Sequence, residues 1–172
     1  MSLSFKPATT NHIPLLTKLA SEIWHKHYPS IISEEQIKYM LAKRYSSEAL
    51  LEGMQKGEHF YLAYQNDLPV AYAAIELIGN FYYLHKFYVD VAKHRTGVGQ
   101  AFFNYLLSQI GNSTEIKLQV NRQNINAINF YFKNGFVIEK AEDFNIGNNF
   151  YMKDFVMVRK PDSYSNPSSA KL

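Results

Sequence analysis

Apolar residues at Ile13, Leu16, Leu19, Ala20 and Ile23 recur at helical spacing, with Thr9, Thr10 and Asn11 ahead of them as caps. A short strand opening at Ser4 to Lys6 and a first helix ending near Lys26 are predicted, and Pro29 stops that helix. Ser33 followed three residues later by Gln36 reads as a capping box before Ile37, Met40 and Leu41, which predicts a second helix. Ser46 and Ser47 precede a third helical segment, Glu48 to Gln55, closed by Gly57. From His59 the period changes. HFYLAYQ, VAYAAIEL and FYYLHKFYV are aromatic and β-branched runs separated by the turn residues NDLP and GN, the pattern of three antiparallel strands in a meander. Helical spacing returns with Val98, Phe102, Leu106 and Ile110, and Gly111 ends it. IKLQV then reads as a strand, Asn124 to Asn134 as a helix carrying Ala127, Ile128 and Tyr131, FVI as a strand after the Gly135 cap, and FYMKDFVMV as a long final strand.

The chain has 172 residues, enough for one domain, expected over 1–160, and the Pro- and Ser-rich segment 161–172 is expected to be a disordered tail. Apolar residues at 47%, with 13 Tyr and 12 Phe, supply ample core material. Eighteen Lys and Arg against fifteen Asp and Glu give a net charge of +3, scattered rather than gathered into a stripe, so a nucleic-acid partner is not expected. The absence of Cys excludes disulfides, thiolate metal sites and a cysteine nucleophile, and suits a reducing compartment. The opening MSLSFKPATTNHIP lacks a charged start followed by an apolar run, and no stretch approaches the ~18 apolar residues of a membrane span. A cytoplasmic protein with no membrane partner is the expectation.

The richest segment chemically is FYVDVAKHRTGVGQAFF, where a strand-like run leads into a helix that begins at two glycines separated by one residue. Free N–H groups and the positive dipole end at a helix start bind anions, and glycine lets a ligand approach the main chain. Lys93, His94 and Arg95 add positive charge beside it. The dinucleotide fingerprint fails because Phe102 stands where its third glycine belongs, and no Gly-Lys pair exists to form a Walker loop. A plain glycine-containing turn before a helix fits the same spacing.

This segment and a second one resemble the two signature regions of the GNAT superfamily of N-acetyltransferases, in order and in spacing, over residues 59–158. HRTGVG is similar to the first signature, with Gly97 and Gly99 matching and His94 standing where the family carries Arg or Gln. Asn124, Ala127, Tyr131, Gly135 and Phe136 match the second throughout. The resemblance implies an α/β fold: a mixed, mostly antiparallel twisted sheet with helices on both faces. It also implies acetyl-CoA as cosubstrate, its pyrophosphate on the backbone of His94, Arg95, Thr96, Gly97, Val98 and Gly99, with Gln100 and Ala127 adjoining. Its pantetheine arm would lie along Phe87, Tyr88 and Val89, steadied by Asn124, while Tyr131 would bond the sulfur and protonate the departing thiolate. Acyl transfer needs such an acid, and donors at the developing oxyanion, which a backbone N–H of Phe87 to Val89 would supply. Sheet-edge or strand-exchange homodimers are compatible with the family.

An amine acceptor must first lose a proton, at a cost of about 4.6 kcal/mol for a lysine-like pKa near ~10.4 at neutral pH. Glu76 and His85, on neighbouring predicted strands, are the candidate bases; each equally fits an ordinary solvated or hydrogen-bonded strand residue. Trp24, His25 and Tyr28, at the end of the first helix, are candidate acceptor-pocket residues, or ordinary packing of an amphipathic helix. His25 and His27 form H-x-H, but nothing nearby completes a metal site and none is expected. The acceptor is expected to be a small-molecule amine or a peptide amine. NNFYMKDFVMVRK and LHKFYV resemble the bacterial spermidine/spermine acetyltransferase branch, which for a +3 protein requires a local acidic pocket, drawn from Glu22, Glu76 and Asp154. The alternative is a non-catalytic acyl-CoA-binding or regulatory module.

Overall fold

The structure, a computed structural model, describes residues 2–111 and 114–161. The expected tail past residue 161 lies outside the described residues. Five helices and seven strands follow one another along the described chain. Strand β1 (Leu3–Ala8) leads into α1 (Ile13–His27), α2 (Glu34–Arg44) and α3 (Ser47–Lys56). Strands β2 (His59–Gln65), β3 (Leu68–Ile78) and β4 (Phe81–Val89) come next, then α4 (Val98–Ile110), β5 (Glu115–Asn121), α5 (Ile125–Lys133), β6 (Val137–Gly147) and β7 (Phe150–Arg159).

The helix boundaries follow their caps. Ser33 Oγ accepts from Gln36 N and Ser46 Oγ from Ala49 N, both at 3.2 Å. The Ser33–Gln36 capping box is only half formed, because the Gln36 amide reaches away to donate to the Tyr151 carbonyl at 3.0 Å and ties α2 to β7. The apolar stripe of α1 is buried as its spacing predicts. Asn66 and Asp67 turn the β2–β3 hairpin with positive φ of 49° and 63°, and Asn148 and Asn149 do so for β6–β7 at 52° and 60°.

The seven strands form one sheet in the order β1-β2-β3-β4-β5-β7-β6. Every pairing is antiparallel except β4 with β5, which the α4 crossover makes parallel. One core packs α4 and α5 on one face through Val98, Phe102, Phe103 and Leu106 against Leu84, Ile116, Leu118 and Met157. The other packs α1 to α3 on the opposite face through Leu16, Trp24, Ile37 and Leu50 against Leu62, Tyr72 and Ala74. The mixed sheet with helices on both faces is thus as expected.

Two irregularities open the centre of the sheet. The β3–β4 ladder pairs Ala74 with Lys86 but Ile75 with Leu84, leaving His85 as the extra residue of a bulge. The β4–β5 ladder holds only from Phe81 to Leu84 against Glu115 to Leu118, after which the strands part. Half the backbone groups of His85 to Val89 therefore face a cleft instead of a neighbour. Strand β6 runs well beyond the expected FVI, because as an exposed edge it needs no apolar alternation to mark its length.

Candidate active site

The cleft between the parted strands opens into a cavity of about 1030 Å³. At one end stands the turn that precedes α4. Arg95 and Gly97 both take left-handed backbone, φ 61° and 87°, and no side chain caps the helix start, so its first N–H groups stay available. A Cβ on Gly97 would meet nothing within 4 Å, so glycine is required there by conformation rather than by crowding. On Gly99 a Cβ would lie 3.6 Å from Val89 and 3.8 Å from Phe130, ordinary contacts that leave the main chain bare toward the cavity. This fits a pyrophosphate on backbone amides.

The cofactor-side residues divide by what they present. His94, Arg95, Gly97, Gly99 and Gln100 line the cavity. Val98 does not, because its side chain is fully buried in the core, and Thr96 turns its hydroxyl to the Lys93 carbonyl at 2.7 Å. These two can contribute through the main chain only. The His94 imidazole sits 3.1 Å from the Val89 carbonyl through Nε2, which locks the turn onto the end of β4. Gln100 Nε2 donates to Asn134 Oδ1 at 2.7 Å, joining α4 to the end of α5. The Phe87 ring stacks on Phe102 and Phe130 in the core, so what it shows the cleft is backbone.

At the start of α5, Asn124 Oδ1 accepts from Ala127 N at 3.3 Å as the helix cap, and both residues line the cavity. Its side chain lies near His27, whose imidazole is held below its ordinary pKa by burial and by His94 nearby, against the opposing pull of Asn124. One turn on, Tyr131 is 7% exposed and faces the cavity, and burial raises its phenol far above the usual range. It holds its proton at any physiological pH.

Beyond Tyr131 the cavity passes onto the α1–α3 face, where an aromatic wall gathers. Trp24 stacks on Tyr28 with centroids 4.2 Å apart, and the Tyr45 and Tyr88 hydroxyls lie 2.8 Å from each other. Burial raises the pKa of Tyr28, Tyr45 and Tyr88 alike, so this wall is neutral. Trp24 and Tyr28 are brought to the cavity as the helical spacing predicts; His25 is not. Its ring lies on the outer side of α1, with Nδ1 2.8 Å from the Ser21 carbonyl, because one residue from Trp24 is ~100° around the helix. His27, three residues from Trp24, takes that place.

Glu76 and His85 do meet: His85 Nε2 is 2.8 Å from Glu76 Oε2. The bulge turns His85 to the same side as Glu76, and His85 lines the cavity while Glu76 stands behind it. Glu22 joins neither, pairing on the surface with Lys18 at 3.9 Å. Asp154 on β7 is 4% exposed, lines the cavity, and burial pushes its carboxyl up to about 6, with Arg122 opposing and Asp143 reinforcing. Tyr45, Tyr83 and His27 are site residues that sequence reasoning passed over. Helical spacing from Trp24 would have found His27, whereas no local signal marks Tyr45 or Tyr83.

The sequence model described as "Acetyltransferase (GNAT) domain" matches residues 30–152. The chain belongs to the GNAT acetyltransferase family. It is an acetyl-CoA-dependent N-acetyltransferase, with the expected fold. Over 171 residues it is 25% identical to spermidine N(1)-acetyltransferase of Thermoplasma acidophilum, covering 95% of this chain and 100% of that protein. It resembles the crystal structure of PaiA N-acetyltransferase from Thermoplasma acidophilum in complex with coenzyme A, with a TM-score of 0.75 and 26% identity over 93% of this chain and 99% of that one. The fold is also that of the ribosomal-protein-S18-alanine N-acetyltransferase of Escherichia coli, TM-score 0.70 at 16% identity, covering 98% and 99%. No helix among the described residues is long and apolar enough to cross a membrane.

Proposed function

We propose that residues 1–160 form one cytoplasmic acetyltransferase domain that moves an acetyl group from acetyl-CoA directly to a primary amine, both substrates being held together. The observation that carries this reading is the continuity of the cavity. It runs from the backbone amides at Gly97 to Gly99, past Tyr131, to the His85 imidazole. Direct transfer also suits a chain without Cys.

When bound, acetyl-CoA supplies the acetyl group as an activated thioester. Gly97, Val98 and Gly99 hold its pyrophosphate through main-chain N–H groups at the α4 start, and His94, Arg95 and Gln100 flank it. The parted edge of β4 at Phe87, Tyr88 and Val89 would hold the pantetheine arm, and its free N–H groups would supply a donor to stabilise the developing oxyanion. Asn124 and Ala127 set the floor beneath. Tyr131 Oη holds the proton that the thiolate needs on leaving.

On the acceptor side, Glu76 Oε2 accepts a hydrogen bond from His85 Nε2–H and orients the ring. That leaves Nδ1 with a lone pair to take the proton an ammonium must lose, so His85 is the base and Glu76 its positioning residue. Trp24 and Tyr28 form the wall against which the acceptor lies. A cationic small amine is the acceptor class that the buried carboxylate of Asp154 and the spermidine-acetylating relative both favour.

Calorimetric titration of acetyl-CoA, followed by thiol release with a panel of small amines and peptides, tests the reading. Micromolar binding that survives loss of the 3′-phosphate, with turnover on an amine, is the expected result. Binding without turnover on any acceptor would instead identify an acyl-CoA-binding module, and no binding would overturn both.

A further inference from the structure

We infer that Asp154 is the anchor for a second, non-reacting ammonium group of the acceptor, so that the preferred substrate is a diamine rather than a monoamine. The inference rests on the amine-acetylating reading above and adds the residue that selects among amines.

Asp154 Oδ1 is buried and has no hydrogen-bond partner, although the residue lines the cavity. A carboxylate in that position is costly to the fold unless something else meets it. Arg122, the cation whose charge acts on Asp154, has its ion pair with another carboxylate. Arg122 pairs with Asp143, and Lys140 pairs with Glu142, the residue opposite Asp154 on β6. Lys43 is turned onto the Ile146 carbonyl. Asp154 thus stands at the cavity wall with an oxygen that has no hydrogen-bond partner, where a ligand's N–H donors can meet its carboxylate.

The surroundings suit an alkylammonium. Tyr28 from α1 and Tyr83 from β4 lie close enough for the Asp154 charge to act on both phenols. Phe144, Ile146 and Met152 line the same end with apolar surface for a methylene spacer. The nitrogen held there cannot be the one attacked, because a carboxylate stabilises the ammonium form and acylation needs the free amine. Tyr28 feels both Asp154 and Tyr131, so it spans the interval between the anchor and the reacting end. One molecule with two nitrogens joined by an apolar chain satisfies both ends.

The test compares KM for 1,4-diaminobutane and 1-aminobutane in wild type and Asp154→Asn. In wild type near pH 8 the diamine should hold an advantage of about tenfold or more, from a charge-assisted bond the monoamine lacks. In D154N the two KM values should fall within about twofold of each other, with acetyl-CoA affinity by calorimetry unchanged as proof of an intact fold. The wild-type advantage should also shrink as pH falls through about 6, as Asp154 gains its proton. The groups facing Asp154 are Tyr28, Tyr83, Arg122, Asp143 and Glu142, with the exposed Arg44 of α2 beyond Tyr83. Tyr and Arg do not titrate there, and the variant separates Asp154 from the two carboxylates. If D154N fails to fold, the wild-type pH profile decides.

Amine turnover with no diamine advantage, or an advantage that survives in D154N, overturns the assignment. If neither amine is acetylated, the acetyltransfer reading for small amines fails on its own. Calorimetric titration of each amine into the CoA-loaded protein then still judges the anchor: diamine binding weakened in D154N supports it, and no diamine binding overturns it.

Discussion

The two ends of the cavity are built on opposite principles. The end proposed for the cofactor is one continuous piece of chain, from the edge of β4 through the turn to the start of α4, and it presents mainly main-chain N–H groups. The acceptor end takes single side chains from distant elements: Trp24 and Tyr28 from α1, Tyr45 between α2 and α3, His85 from β4, and Asp154 from β7. Backbone recognition tolerates almost any side chain provided the dihedral angles are right, so it leaves a sparse glycine pattern. Side-chain recognition depends on which residues the fold juxtaposes, and those residues share no local spacing.

Substitutions at the two ends should therefore fail differently. The largest effect belongs where the ends meet. Tyr131→Phe keeps the ring and its packing but removes the proton donor, and should lower kcat by ~10²–10³-fold while acetyl-CoA affinity holds, measured by thiol release beside calorimetry. An equal loss of affinity would mean that the hydroxyl serves binding rather than the leaving group.

At the acceptor end, Asp154 carries a stability cost that its replacement should reveal. Its pKa of about 6 in the folded state lies above the ordinary carboxylate value of 3.8, so between those values the folded protein holds a proton the unfolded chain has released. Ligand-free stability should fall as pH rises through that window and stay about 3 kcal/mol lower above it. Asp154→Asn should raise the melting temperature at neutral pH and converge with wild type below about pH 4, by thermal denaturation across pH. A gain that is the same at every pH would show that the charge is not its source.

At the cofactor end, Gly97→Ala places a Cβ on backbone at φ 87° with open space around it. The strain of about 1–2 kcal/mol should appear as a roughly tenfold weaker acetyl-CoA Kd, with little change in acceptor KM. The smallest effect is expected at His25, whose ring lies outside the cavity. His25→Ala should move acceptor KM by less than about twofold, whereas Tyr28→Ala, on the wall itself, should raise it several-fold. Equal effects at the two positions would erase the distinction drawn between the faces of α1.

The sequence made much of this legible. The Trp24–Tyr28 pair was readable because i and i+4 share a helix face, and the same rule places His25 outside and His27 inside. Gly97 and Gly99 marked the turn, although spacing did not reveal that Arg95 also adopts left-handed backbone. The Glu76–His85 contact depended on the bulge, since a regular β4 would not bring both His85 and Lys86 to the α1–α3 face. Strand β6 went mostly unread because its residues are exposed and carry no alternation.

Local periodicity, capping residues and glycine positions determined by themselves the helices, the meander and the glycine turn before α4, since each rests on interactions between residues close in the chain, while the acetyltransferase character was legible only through the resemblance of two segments to the GNAT signatures. Where β4 leaves β5, which titratable groups meet, and the burial of Asp154 Oδ1 without a partner beside the cavity were decided only in the tertiary structure. Those features arise from contacts between residues as distant in sequence as Tyr28 and Asp154, whose burial and partners exist only once the sheet has assembled.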